Sequence, residues 1–105
     1  MPVHVTRWQA PQQPDPQTLL ADLRKTGRSY TSWRNGPGDE YAVHTHSFHK
    51  HLVCLSGSIT FTLPASRDAI ALAPGDALDL PSGTAHGALV GPAGVQCAEA
   101  HLTDE

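Results

Sequence analysis

The sequence predicts an antiparallel all-β fold, a sandwich or barrel, with one short helix near its N-terminus. Seven or eight strand-like runs follow Gly27, separated by turn residues and with no helix between them. Nine glycines and nine prolines in 105 residues indicate many turns. The hydrophobic fraction of 39% suits strands that alternate buried and exposed residues better than it suits a helical bundle.

The chain length predicts one domain, with an N-terminal arm and short helix at residues 1–28 and the β-barrel at residues 29–105. Asp15 is a good N-cap, Pro16 fits the first helical position and Gly27 can close the helix. Three leucines at helical spacing form its apolar stripe: Leu19, Leu20 and Leu23. We expect the Pro-rich arm before the helix to lie across the domain or across a partner subunit.

The strand-like runs alternate or are continuously apolar, and Gly, Pro, Ser or Asp separate them. Ser56 and Gly57 predict a tight hairpin, and residues 91–94 predict the last turn. The predicted strands are residues 28–34, 40–46, 51–55, 58–63, 69–73, 77–80, 87–90 and 95–102.

Composition and charge exclude several classes of partner. The net charge is −3 and no basic stripe is present, so we expect no nucleic acid. No apolar run approaches the roughly 20 residues that cross a bilayer, and the first residues lack the pattern of a signal peptide. We therefore expect no membrane partner and a cytoplasmic location. In that compartment Cys54 and Cys97 are best interpreted as buried free thiols.

Four of the seven histidines lie between residues 44 and 51. His44 and His46 are two positions apart on a predicted strand, so their imidazoles emerge on the same face. Neutral imidazole is the commonest transition-metal ligand. Two ligands are too few for a firm site, and His86, which follows a Pro-x-Gly turn, is the candidate third.

These residues resemble the two sequence motifs of the cupins. Gly38 is followed after five residues by His44 and then His46, with Gly57 at the end of the first motif. The second motif is matched by Gly75, Pro81, Gly83 and His86, whereas Val90 stands where the family often has Asn. The resemblance covers about residues 29–102. It implies a double-stranded β-helix barrel of the jelly-roll type.

The sequence departs from the first motif at its acidic position, where it has Lys50. A charged ammonium has no lone pair for a metal ion, so three explanations remain open. The first is a site of three histidines with water or substrate at the open positions. The second adds His51 or His49 as a fourth ligand. In the third, Lys50 replaces the metal and holds an anion, or acts as an acid or a Schiff-base amine.

Strand alternation places Glu99 on one face with Cys97 and His101. If that face is the barrel interior, Glu99 is a candidate replacement for the missing carboxylate; if it is the outside, all three are solvent or interface residues. The resemblance implies a mononuclear centre with Fe, Ni, Zn or Mn and a dioxygenase- or isomerase-like activity on a small organic molecule. Lys50 and Glu99, at and near the departure from the motif, are the candidate catalytic residues. The alternative is a non-catalytic module that binds a small anion through Lys50 without metal. Small cupins commonly dimerise, so the resemblance also implies a homodimer.

Overall fold

A computed structural model describes residues 3–102. The described residues form one helix and seven strands, and this confirms the all-β jelly-roll prediction with a short N-terminal helix. In chain order they are β1 (His4–Thr6), α1 (Pro16–Arg24), β2 (Thr31–Asn35), β3 (Glu40–His44), β4 (His49–Leu63), β5 (Asp68–Leu72), β6 (Ala77–Leu80) and β7 (His86–Leu102).

The long strands β4 and β7 run antiparallel to each other through both layers of the jelly roll. Residues 49–57 pair with residues 95–102, with β6 and then β1 on one side and β2 on the other. Residues 59–62 pair with residues 87–90, with β5 and β3 at the two edges. The shared strands join the two layers, so both layers contribute to one interior.

The predicted hairpin at Ser56 and Gly57 is wrong, because both residues lie inside β4 at an irregularity of its pairing with β7. The turn predicted at residues 91–94 also lies within a continuous strand, β7. Gly57 has φ +75°, and a Cβ there would lie 2.0 Å from the Gly94 carbonyl oxygen. The glycine therefore serves a close approach of two backbones, not a reversal of the chain.

The main core fills the space between the layers. It includes Leu52, Cys54, Ile59, Phe61 and Cys97. Cys54 and Cys97 are partners across β4 and β7, both are fully buried, and both are free thiols as predicted.

A second apolar cluster lies under α1. The three predicted leucines of the helix pack against Tyr30, Leu55, Ala98 and Ala100. The predicted cap is present, since the Asp15 carboxylate accepts a hydrogen bond of 3.0 Å from the Thr18 amide. Gly27 follows the helix with φ +89°.

The N-terminal arm lies across its own chain, with β1 paired to β6. The Trp8 amide donates a 2.9 Å hydrogen bond to Asp76, and the Arg7 guanidinium forms a 2.9 Å ion pair with the same carboxylate. Within residues 3–102, no helix has the length and apolar character needed to cross a membrane.

Candidate metal centre

Three histidines from two distant segments meet at one end of the barrel interior. His44 ends β3, His46 lies two residues further on, and His86 begins β7 directly opposite His44. One ring nitrogen from each histidine lies within 4.8 Å of those of the other two. The sequence spacing predicted this convergence, and the structure confirms it.

The Pro-x-Gly turn connects the two segments. Gly83 adopts φ +80°, and its amide donates a 2.7 Å hydrogen bond to the carbonyl of His46. The Thr84 amide closes the turn on the Pro81 carbonyl at 3.2 Å. The turn thus places His86 beside the backbone of the His44–His46 segment.

Backbone carbonyls orient two of the three rings. The Nδ1 of His44 lies 2.7 Å from the Ala42 carbonyl oxygen, and the Nδ1 of His86 lies 2.8 Å from that of Thr84. A carbonyl only accepts, so each Nδ1 carries the hydrogen and each Nε2 keeps its lone pair. The His44 Nε2 is 3.1 Å from the His46 Nε2.

One observation in particular indicates that the three histidines fit a metal ion. The Nε2 of His86 is buried, and no described residue forms a hydrogen bond with it. Buried polar atoms are rarely left without a partner, and each exception needs a physical reason. A cation shared with the neighbouring Nε2 atoms would give this lone pair its partner.

The charge state of the His46 and His86 rings also suits metal ligands. Burial, together with the nearby Lys50, His44 and His86, lowers the pKa of His46 to about 4. Burial also lowers the pKa of His86, which outweighs the opposing hydrogen bond with Thr84. Both rings are therefore neutral at pH 7, and neutral imidazole is the form that binds metal.

Lys50 and Glu99 lie in the same cavity and pair with each other. The Lys50 Nζ is 3.6 Å from Glu99 Oε1, and Trp33 Nε1 donates a 2.9 Å hydrogen bond to that oxygen. The His101 ring contacts Glu99 Oε2. Burial opposes ionisation of Glu99, but His101, Lys50 and Trp33 outweigh it and hold the pKa of the carboxyl below its usual value.

The structure does not bring Glu99 or His51 into the three-histidine cluster. Glu99 is held by the three groups described above. His51 follows Lys50 along β4, and successive strand residues face opposite sides of the sheet. His51 Nδ1 and His49 Nε2 both bind the Asp79 Oδ1, at 2.8 and 3.1 Å, outside the barrel.

Two further residues support the centre and were not among the predicted site residues. The Phe48 ring stacks on His46 with a centroid distance of 4.8 Å and on His101 at 4.0 Å. The sequence placed His101 only on the same strand face as Glu99, and nothing in the spacing indicated Phe48. The stack depends on the register of β4 against β7, which places the two segments side by side.

The cavity has a volume of about 290 Å³. The three histidines, Lys50 and Glu99 supply its imidazole and charged groups. Its other lining residues are aromatic or aliphatic: Trp33, Tyr41, Leu52, Phe61 and Ala88. A few convergent polar groups in an apolar cavity are typical of a site for a small organic ligand.

No family model and no curated protein matches this chain. It is similar to a cupin superfamily protein from Desulfitobacterium hafniense DCB-2, with a TM-score of 0.64 and 14% identity, over 98% of this chain and 79% of that one. A cupin domain from Bordetella pertussis Tohama I matches with a TM-score of 0.58 and 23% identity, over 71% of this chain and 80% of that one.

A polyketide cyclase from Streptomyces resistomycificus matches with a TM-score of 0.61 and 26% identity, over 69% of this chain. The match spans 52% of the cyclase, about half of its length. These likenesses show that the chain has a cupin-like fold, a double-stranded β-helix. Fold and site together define a small cupin-like barrel with three convergent histidines.

Proposed function

We propose that this protein is a small metal-binding cupin that uses His44, His46 and His86 to hold one divalent transition metal, Fe, Ni, Zn or Mn. The observation that carries the proposal is the buried, unpartnered Nε2 of His86 beside the other two ligand nitrogens. Three protein ligands leave positions open for water or substrate. The site is therefore of the catalytic type, not a closed structural site.

We further propose a dioxygenase- or isomerase-like metalloenzyme that acts on a small organic molecule. A bound metal supplies Lewis acidity and, if it is redox-active, dioxygen chemistry. The chain orients the ligand rings through Ala42 and Thr84, binds substrate in an apolar cavity and limits water there. A neighbour named as a polyketide cyclase supports an organic substrate for this fold, although fold alone does not select a reaction.

Metal analysis of protein purified without a histidine tag tests the proposal. We expect close to one metal ion per chain, and we expect His86→Ala to lose it while the circular dichroism spectrum of the barrel is kept. His51→Ala is the matched control, because its ring lies outside the cluster, and it should retain the metal. Full metal occupancy in His86→Ala would contradict the assignment.

The second candidate is a metal-free module that binds a small anion through Lys50. It is supported by the position of this lysine in the cavity wall, where the cupin motif has an acidic residue. A purified protein without metal that binds a carboxylate, and loses that binding in Lys50→Ala, would favour this candidate over the metalloenzyme.

The expected cytoplasmic location and homodimeric state belong to the same proposal. Light scattering of the purified protein tests the dimer, for which we expect about twice the chain mass of 11.2 kDa. A monomer mass at micromolar concentration would reject it.

A further inference from the structure

The Lys50 ammonium is held in the cavity wall but is only partly satisfied there. Its side chain is 12% exposed, and its one charged partner within residues 3–102 is Glu99, at 3.6 Å. An ammonium carries three N–H donors, and one carboxylate oxygen at this distance uses at most one of them. Lys50 therefore has donors to offer to a ligand in the cavity.

Glu99 holds the Lys50 ammonium in place, and its carboxylate has little capacity left to accept further hydrogen bonds. Its two oxygens already contact Trp33 and His101. The carboxylate and the ammonium together contribute no net charge. Glu99 thus orients Lys50, and the remaining donors stay available on a preorganised group.

The other polar end of the cavity lacks a negative charge. If the proposed function holds, a divalent ion there is bound by three neutral imidazoles, which add no charge. The acidic position of the cupin motif is occupied by Lys50, and Glu99 is already paired. The charge of the ion is then balanced only when an anion enters.

The cavity walls between these two polar ends favour a ligand with a compact apolar part. Trp33, Tyr41 and Phe61 present aromatic rings, and the cavity of about 290 Å³ is at the small end of ligand pockets. Aromatic walls pack well against flat apolar groups, with offset or edge-to-face geometry.

From these features we propose that the ligand is a compact, planar organic monoanion with two acceptor oxygens, a carboxylate or the enolate of a 1,3-dicarbonyl. One oxygen accepts from Lys50, the other faces the three histidines, and the apolar body lies against the aromatic walls. This inference rests on the proposed function, because it assigns the substrate class of the same site.

The test uses the full chain loaded with Co²⁺ and titrated with benzoate, with benzamide as the neutral probe of the same shape. Visible absorption of the cobalt ion and calorimetry report binding without any assay of activity. The variants are Lys50→Met, Lys50→Arg and Glu99→Gln. Lys25→Met is the matched control, since Lys25 is exposed near the end of the helix.

We expect both wild type and Lys50→Met to load with cobalt at saturating concentration, and benzoate to bind the loaded Lys50→Met about tenfold to a hundredfold more weakly than the loaded wild type, as for a lost charge-assisted hydrogen bond. Lys50→Arg should recover much of the loss, Glu99→Gln should tighten benzoate binding, and Lys25→Met should match wild type. Benzamide should bind more weakly than benzoate in wild type and should lose less affinity than benzoate in Lys50→Met, because its neutral oxygen accepts a weaker hydrogen bond.

Equal benzoate affinity in wild type and Lys50→Met, both loaded with cobalt, would overturn the inference and leave the proposed metal site intact. Equal benzoate affinity with and without cobalt would show that the second oxygen does not contact the metal, and would overturn the proposal that the ligand binds to both the lysine and the metal. Failure of the wild type to bind cobalt would instead reject the proposed function itself, so the two failures are distinguishable.

Discussion

Gly57 lies at an irregularity in the pairing of β4 with β7, where the two backbones approach each other closely. Its φ is +75°, and a Cβ added to it would lie 2.0 Å from the Gly94 oxygen, which leaves no room for a side chain. Gly94 also has a positive φ, +78°, so two permissive residues face each other where β4 and β7 change layers. The obstacle is backbone, which cannot swing aside as a flexible side chain would.

We expect Gly57→Ala to destabilise the protein by about 3 kcal/mol, because it adds a clash with backbone to an unfavourable φ. Gly27→Ala is the matched control, since Gly27 has φ +89° but a Cβ there meets nothing within 4 Å. The control should cost only about 1 kcal/mol, the cost of a left-handed backbone conformation for a residue with a Cβ. Urea unfolding followed by circular dichroism measures both, and equal costs would show that φ alone decides.

At the level of residues, sequence spacing predicted where three histidines meet, because each motif carries its own turn. His44 and His86 need only a strand end and a Pro-x-Gly turn to face each other. The pairing of Lys50 with Glu99 was not predicted, although both residues were singled out. It depends on how β4 and β7 bring their inward side chains together, which a local pattern does not encode.

Among elements, the segment between β3 and β4 carries His46 outside any strand. Carbonyl oxygens orient the other two rings, whereas Phe48 stacks on the His46 ring, and His101 stacks on Phe48 in turn. Phe48 is therefore a positioning residue for the proposed ligand.

We expect Phe48→Ala to weaken zinc affinity by roughly tenfold, since groups that orient ligands typically contribute that much or more. Phe48→Tyr keeps the ring and should restore wild-type affinity. Competition with a chromophoric chelator measures the effect. An affinity unchanged in Phe48→Ala would show that the segment holds His46 without the stack.

The N-terminal arm is attached through Asp76. Burial opposes ionisation of this carboxyl, but hydrogen bonds from Ala73, Trp8 and Arg7 outweigh it and keep its pKa below the usual value. A group whose pKa is lowered by folding stabilises the protein above its unfolded pKa. That contribution is lost as the pH falls through the folded pKa.

Asp76→Asn should therefore lose about 1–3 kcal/mol of stability at pH 7, as expected for a buried network with one partner changed. The difference from wild type should begin to shrink below about pH 4, where the carboxyl of the unfolded chain binds a proton, and should go on shrinking until the folded carboxyl is protonated at lower pH. Asp22→Asn is the control, because its ion pair with Lys25 is exposed, and it should change little at any pH. A pH-independent difference for Asp76→Asn would contradict the linkage.

The errors in the predicted strands have one physical cause. A glycine with a positive φ serves a hairpin and a bulge equally well, so Ser56–Gly57 carries no local sign of which it forms. The choice is made by β7, whose residues 87–102 continue to pair with β4 on both sides of the bulge. The helix was predicted correctly because its cap, Asp15, acts within three residues.

For the whole molecule, the jelly-roll class could be predicted from the sequence, but the order in which the strands pair could not. Many short alternating runs require two faces around one interior, and the paired motifs indicated the barrel. The sharing of β4 and β7 by both layers follows only from long-range pairing. It matters for the site, because His86 begins one shared strand and Lys50 lies on the other.

Metal binding should therefore register in the stability of the entire chain. Free ligand at one hundred times its Kd stabilises the folded state by about 2.7 kcal/mol when the unfolded chain does not bind it. For a chain of this size that corresponds to an increase in Tm of roughly 10–20 °C. We expect this increase for wild type with Co²⁺ and none for His86→Ala, while the two proteins without metal melt within a few degrees of each other. Scanning calorimetry at several cobalt concentrations measures the increase in Tm. A wild-type Tm that does not change with cobalt would mean that the three histidines bind no ion in the folded protein.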